Sequence, residues 1–390
     1  MVYAPACIRV LAAALAGLAF AQHAQATPSC PAPCTLRDAA ALAGVEIGAA
    51  VSLSEIRAGS TARTVFTREF SSLTPENAMK WSVVSPTPGS YAFGEADALV
   101  ELAESAGMRV RGHTLFWGRP NGPPPWLDAE VLNAPDPQAR LRELMTQHAG
   151  AVAGRYAGRI AQWDVVNEPL SFNAPSLDPN NLFNRVLGEA WIGEAFQLAH
   201  AADPNAQLFL NETLLEFSAS KFQGFKALVE RVLATGAPID GVGFQAHFFF
   251  ARPDRVALQA QIQAMADLGL AVELTELDIP IGLFGAESDP LAAQAGAYAD
   301  VFAACLAVSA CRGITTWGVS DGTTWLDDAA FFSNYAPNRP LLFDAQYDPK
   351  PAYGAVRDEL LSVPEPSSAL LLGLGLGALS VIFPISRPQA

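Results

Sequence analysis

The chain has 390 residues, more than one small core needs and within the range of a single large α/β barrel. Its composition, 51% apolar, 9% aromatic and 16% charged, is that of a globular enzyme. With 24 basic against 39 acidic residues the formal net charge is −15, which repels phosphate backbones, argues against nucleic-acid partners and suits a neutral substrate.

The elements begin with a targeting segment. Arg9 supplies a thin positive region, residues 10–20 (VLAAALAGLAF) are apolar, and Ala24, Gln25 and Ala26 offer a small-residue cleavage site. This pattern predicts a secretory signal over residues 1–26, followed by a lead-in over 27–42. Export permits disulfides. Cys7 leaves with the signal, so four cysteines remain. Cys30 with Cys34 and Cys305 with Cys311 are close in sequence and form natural pairs, although other connectivities stay open. Neither pair has a neighbouring His or Cys at metal spacing, so no metal is expected, and nothing in the sequence asks for an organic cofactor.

From residue 43 onward short apolar runs alternate with amphipathic stretches. The runs fall at residues 45–51, 69–73, 108–117, 160–168, 206–211, 239–247, 270–279 and 313–319. Helical patterns separate most of them, at 95–106, 141–156, 187–201, 221–234, 257–268 and 291–308, and several end at a glycine (Gly107, Gly236, Gly269). Eight strands alternating with helices predict an α/β fold, a single (β/α)8 TIM barrel over residues 43–361. An open doubly wound sheet is the rival, but no Gly-rich phosphate turn follows the first strand.

Polar residues interrupt these runs at their C-terminal ends. Glu76 and Asn77 follow the second, His113 and Trp117 lie late in the third, and Asn167 and Glu168 end the fourth. Asn211 ends the fifth, Gln245 and His247 the sixth, Glu276 sits late in the seventh and Trp317 in the eighth. In a closed barrel all these ends surround one mouth, where such folds keep their active sites. Two carboxylates at one mouth suit glycosidic cleavage, one protonating the leaving oxygen and the other attacking or activating water. Taken alone, Asn-Glu-Pro reads equally well as a structural cap, with Pro169 biasing Glu168 toward extended backbone. Lys80 adds a cation, and Trp81, Trp117, Trp317 and Trp325 add flat faces suited to sugar rings. His247 and Asp278 are placed to orient Glu276 and keep it ionised. His148 and His200, on helical patterns, read as structural.

The motifs ENAMKW, RGHTLFW, WDVVNE, GVGFQAH, LTELDI and TTWGVSD, in that order, closely resemble the family 10 glycoside hydrolases, the endo-β-1,4-xylanases. The resemblance covers roughly residues 43–361. It implies a retaining (β/α)8 xylanase with Glu168 as acid/base, Glu276 as nucleophile, and Asn167 bonding the 2-hydroxyl of the sugar being cleaved. It also implies His247 orienting Glu276 with Asp278 behind it, a glycone side lined by Glu76, Asn77, Lys80 and His113, and Gln245, Trp317 and Trp325 completing the cleft. Three departures stand out. Gly118 replaces the histidine common after the tryptophan of the second motif, Glu212 stands where aspartate is usual, and Gly-Thr-Thr-Trp-Leu after the last motif lacks the frequent serine-tyrosine run and the arginine after tryptophan.

The C-terminal segment 362–390 holds Val-Pro-Glu-Pro-Ser-Ser, an apolar run over 369–383 and then Arg387. It resembles the PEP-CTERM sorting signal of Gram-negative bacteria, which implies handling by an exosortase at the cell envelope. Pro384 and the single arginine depart from that pattern, and a plain anchor is the rival, although the run is shorter than the ~20 residues that span a bilayer comfortably. The expectation is an exported monomer acting on xylan or a related β-1,4-linked polysaccharide after signal-peptidase processing. A barrel glycanase for glucan or mannan and a non-catalytic polysaccharide-binding protein are the competing readings.

Overall fold

In a computed structural model that describes residues 30–119, 122–328 and 337–362, eight parallel strands close into a barrel in sequence order. They are β1 (Glu46–Val51), β2 (Ser72–Pro75), β3 (Arg109–Trp117), β4 (Gln162–Asn167), β5 (Gln207–Glu212), β6 (Gly241–Phe244), β7 (Ala271–Leu277) and β8 (Cys311–Thr316). Each pairs with the next, and β8 closes on β1 through Glu46 opposite Gly313 and Ile47 opposite Ile314. The expected (β/α)8 barrel is therefore the fold. The signal segment and the tail beyond Ser362 lie outside the described residues.

The strands are buried on both faces, as parallel strands under a helical ring must be, which is why they read as apolar runs. The barrel interior carries a polar ladder. The Arg111 guanidinium bonds Glu273 Oε2 (2.8 Å) and pairs with Asp164, while Gln162 donates to Glu273 Oε2 at 2.6 Å. His113 Nδ1 donates to Asp164 Oδ2 at 2.9 Å, so the ladder reaches from the barrel centre to the mouth. Buried charges persist there because every member is paired.

Several boundaries shift by a few residues from expectation, and two of the shifts have a clear cause. Apolar spacing places the second run at 69–73, but Glu69 ends the helix Thr61–Glu69 and turns its carboxylate inward to accept from Leu36 N and Tyr353 Oη, both at 3.0 Å. The strand therefore starts later, at Ser72. The helix expected at 141–156 spans Pro137–Val152, because Asp136 caps it by accepting from Ala139 N and Pro137 is preset for the first turn. Apolar spacing alone misses such polar starts. Gly107, Gly236 and Gly269 do follow helix ends at positive φ, as expected.

The lead-in holds the helix Leu36–Ala43, fixed by a capping box between Thr35 and Asp38. It packs against the final helix Pro351–Ser362, with Leu36, Ala39 and Ala40 buried. Both expected disulfides are formed. Cys30–Cys34 closes the turn ahead of that helix, and Cys305–Cys311 ties the helix Pro290–Leu306 to β8.

Candidate active site

The C-terminal strand ends enclose a cleft of about 350 Å³. Its walls carry Glu76, Asn77, Lys80, His113, Trp117, Asn167, Glu168, Gln245, His247, Glu276, Trp317 and Trp325, so twelve side chains read from the sequence converge on one space. Phe172, Thr213 and Phe249 line it as well, and no sequence motif marks them.

Glu276, late in β7, has both oxygens held. Oε1 accepts from Asn211 Nδ2 at 2.8 Å, and Oε2 accepts from His247 Nε2 at 3.2 Å. Behind it His247 Nδ1 donates to Asp278 Oδ2 at 2.9 Å, and Trp325 Nε1 donates to the same oxygen at 2.9 Å. Burial alone would lower the His247 pKa, but Asp278 and Glu276 outweigh it and push it up to about 10, so the ring is a cation. Burial likewise works against an ionised Glu276, yet the His247 hydrogen bond and the nearby histidines hold its carboxyl below the usual carboxylate range. The result is a buried, oriented carboxylate.

Glu168 is placed differently. Its Oε1 accepts from Gln245 Nε2 at 2.7 Å and its Oε2 from Trp117 Nε1 at 3.3 Å, with Arg119 Nε 3.0 Å away. The expectation of extended backbone before Pro169 is not met, because Glu168 sits in the left-handed region at φ 52°. A non-glycine residue holds that conformation only where its surroundings over-determine it. Here Glu168 N donates to Asn211 O (2.9 Å), Leu170 N donates to Glu212 Oε2 (3.0 Å), Arg119 Nη2 donates to Leu170 O (2.7 Å) and Lys221 Nζ donates to Phe172 O (3.0 Å). Glu212 and Lys221 are themselves a fully buried ion pair at 3.0 Å. The glutamate in place of the usual aspartate is thus part of the clamp on the segment after β4.

Two expected cleft residues lie elsewhere. Trp81 is 3% exposed and stacks on His148 at 3.9 Å between ring centroids, in the core. Its neighbour Lys80 faces the cleft, and adjacent residues at the start of the short helix Trp81–Val84 diverge, so only one of them can reach the substrate space. Asn211 is fully buried one layer below the cleft. It donates to Asn167 Oδ1 and to Glu276 Oε1, both at 2.8 Å, and accepts from Thr275 Oγ1. Asn211 therefore orients the two residues above it, and by holding Asn167 Oδ1 it leaves the Asn167 amide nitrogen to face the cleft. Asp278, read as a support residue, is likewise buried behind His247.

On the other wall Lys80 donates to Asn77 Oδ1 at 2.7 Å and lies 5.1 Å from the centre of the Trp117 ring. Burial lowers its pKa while Glu276, Glu76 and Glu168 oppose that shift. His148 is buried, and burial pushes its pKa down to about 3, so it is the neutral core residue expected; His200 lies exposed on its helix.

Glu216 is a further residue the motifs do not reveal. Its Oε1 accepts from Ala246 N at 2.8 Å, fixing the left-handed turn (φ 60°) between Gln245 and His247, while its Oε2 is buried. Burial pushes the carboxyl up to about 7. A carboxyl raised on folding contributes stability below its ordinary pKa and loses it as pH rises through the folded value. Glu216→Gln should therefore raise the melting temperature by a few degrees at pH 8 and change it little at pH 5. Equal shifts at both pH values in thermal unfolding would contradict this.

Comparison with known proteins is consistent with this geometry. Residues 35–359 match the family described as Glycosyl hydrolase family 10. An endo-1,4-beta-xylanase A of Fusarium oxysporum f. sp. lycopersici is 38% identical over 293 residues, covering 73% of this chain and 86% of that protein. A beta-1,4-xylanase of Dictyoglomus thermophilum is 39% identical over 309 residues, covering 73% and 81%. Among solved structures, xylanase 10B from Thermotoga petrophila RKU-1 in complex with xylobiose superposes with a TM-score of 0.75 at 31% identity, covering 84% of this chain and 97% of that one.

Proposed function

The chain belongs to glycosyl hydrolase family 10, and on that premise we propose that it is an endo-1,4-β-xylanase that cleaves internal xylosidic bonds with retention of configuration. The observation that carries the reading is the unequal treatment of two carboxylates at one mouth. Glu276 is buried, held at both oxygens and kept ionised, as a nucleophile must be. Glu168 stands at the cleft wall within reach of Gln245 and Trp117, where an acid/base can meet a departing oxygen. The names of the similar proteins support xylan as the substrate class.

The cycle has two displacements. A carboxylate oxygen of Glu276 bonds to the anomeric carbon as the glycosidic C–O bond breaks, and Glu168 gives its proton to the leaving oxygen. A water oxygen then attacks the same carbon and releases Glu276, while its proton returns to Glu168. Asn167 offers its amide nitrogen to the 2-hydroxyl of the reacting sugar. Glu76, Asn77, Lys80 and His113 line the glycone side, and Gln245, Trp117, Trp317 and Trp325 complete the cleft.

Incubation of the purified protein with xylan, cellulose and mannan tests the reading. Reducing ends should appear from xylan, with short oligosaccharides as products. Release from glucan or mannan alone would overturn the substrate class, and binding without release would overturn the enzyme. His247→Ala should move the acid limb of kcat/KM to higher pH, because Glu276 would lose the cation that lowers its pKa. An unmoved limb in the pH profile would contradict that role.

Export rests on the sequence of residues 1–26, and handling by an exosortase rests on the sequence of 362–390. The protein is proposed to act outside the cytoplasm of a Gram-negative bacterium, as a monomer.

A further inference from the structure

Position 118 lacks the side chain that the resembling sequences place there, and the structure shows what occupies the space. A Cβ at Gly118 would overlap the amide of Asn181. Asn181 is fully buried and caps the helix Leu182–Leu187, its Oδ1 accepting from Phe183 N (2.9 Å) and Asn184 N (3.3 Å). The polar neighbour of Glu168 comes instead from the next residue. Arg119 Nε lies 3.0 Å from Glu168 Oε2, with the two side chains only 13% and 12% exposed. Its Nη2 donates to Leu170 O, and its guanidinium lies 5.6 Å from the ring centre of Phe172 on the cleft wall. The Nε–H is not aligned on the carboxylate for a hydrogen bond, so the contact with Glu168 is charge against charge.

We propose that Arg119 is a positioning residue for the acid/base step, pairing with Glu168 in the ionised form that appears when its proton passes to the leaving oxygen. The inference rests on Glu168 being the acid/base. A guanidinium attracts a carboxylate more strongly than a neutral acid, so the pairing tightens as the proton passes to the leaving oxygen. Because both side chains are largely buried, the attraction is weakly screened. Asp178 Oδ2 lies 3.9 Å from Arg119 Nε, and Glu212, itself paired with Lys221, is a further charge that acts on the guanidinium; together they keep it anchored beside the loop. The same side chain holds Leu170 O, so Glu168 keeps its aim after ionising. The benefit falls on substrates whose leaving oxygen needs a proton, and it is absent for a leaving group that departs as a stable anion.

The test compares xylotetraose with 2,4-dinitrophenyl β-xylobioside, each at the plateau of the pH profile. Arg119→Gln should lower kcat/KM on xylotetraose about tenfold, the order expected for loss of a close, largely desolvated charge partner, and change it less than about twofold on the aryl substrate. Arg119→Lys, which keeps the charge, should recover much of the loss. In a Glu168→Ala background Arg119→Gln should have no further effect. Equal losses on both substrates, or the same loss without Glu168, would reduce Arg119 to a structural role. Should Arg119→Gln fail to fold, Arg119→Met, which keeps much of the side chain's bulk without its charge, carries the comparison, with a loss confined to xylotetraose supporting the proposal and no loss, or an equal loss on both substrates, overturning it. If Glu168→Ala itself shows no dependence on the leaving group, the acid/base assignment fails first.

Discussion

Glu276→Ala should abolish turnover, lowering kcat by at least about 10⁵-fold on any xylan-derived substrate. The expectation follows from the geometry around β7. Asn211 and the cationic His247 each give this carboxylate a hydrogen bond, one to each oxygen, while their other bonds to Asn167 and Asp278 fix them in place. Removing the carboxylate leaves the supports without the proposed nucleophile to hold. The alanine also leaves space on the face of the sugar opposite the leaving group. Azide entering there should attack once and yield an α-linked glycosyl azide, identified by the anomeric proton in NMR. A β-linked azide from this variant, or turnover near that of the parent, would remove Glu276 from the nucleophile's role.

Glu168→Ala should instead give a loss that depends on the leaving group. Hydrolysis of xylan should fall by about 10³-fold or more, because an alkoxide leaves poorly without a proton. Formation of the glycosyl-enzyme from an aryl xylobioside with a good leaving group should survive, and deglycosylation should then limit the rate. Azide needs no general base and approaches from the side of the missing carboxyl, so it should restore turnover and give a β-linked azide. Steady-state kinetics with and without azide read the result. An α-linked product, or equal losses on both substrate types, would show that Glu168 does not serve as acid and base.

Much of this site is legible in the amino-acid chain alone. The apolar runs mark strands because a parallel sheet under helices buries both faces, and polar residues at their ends mark the mouth. Twelve cleft-lining side chains follow from that argument and the six ordered motifs. What fails is depth. Asn211 and Thr213 are two residues apart around the end of β5, yet Thr213 lines the cleft while Asn211 lies a layer below. Alternation along a strand tells which side a residue faces and not which layer it occupies. Trp81 fails for a related reason, since the turn that sends Lys80 into the cleft sends its neighbour into the core.

The backbone of Glu168 is the third case. Pro169 biases the preceding residue by local sterics alone, whereas Arg119, Glu212 and Lys221 impose the left-handed turn from three separate segments. They come from different elements, and although Glu212 stands out as a departure from the family pattern, nothing local announces that all three meet at the segment after β4. Glu216 is hidden in the same way, since only the fold brings it against the turn at Ala246. The two carboxylates are local to their motifs, and the clamp that aims Glu168 is a property of the folded barrel.

The most direct test of two displacements at one mouth is the anomeric form of the first product, followed by ¹H NMR during early hydrolysis of xylotetraose. Two inversions leave the configuration unchanged, so the newly formed reducing end should appear first as the β-anomer and only later mutarotate toward equilibrium. First appearance of the α-anomer would mean a single displacement by water, and Glu276 would then be a base and not a nucleophile.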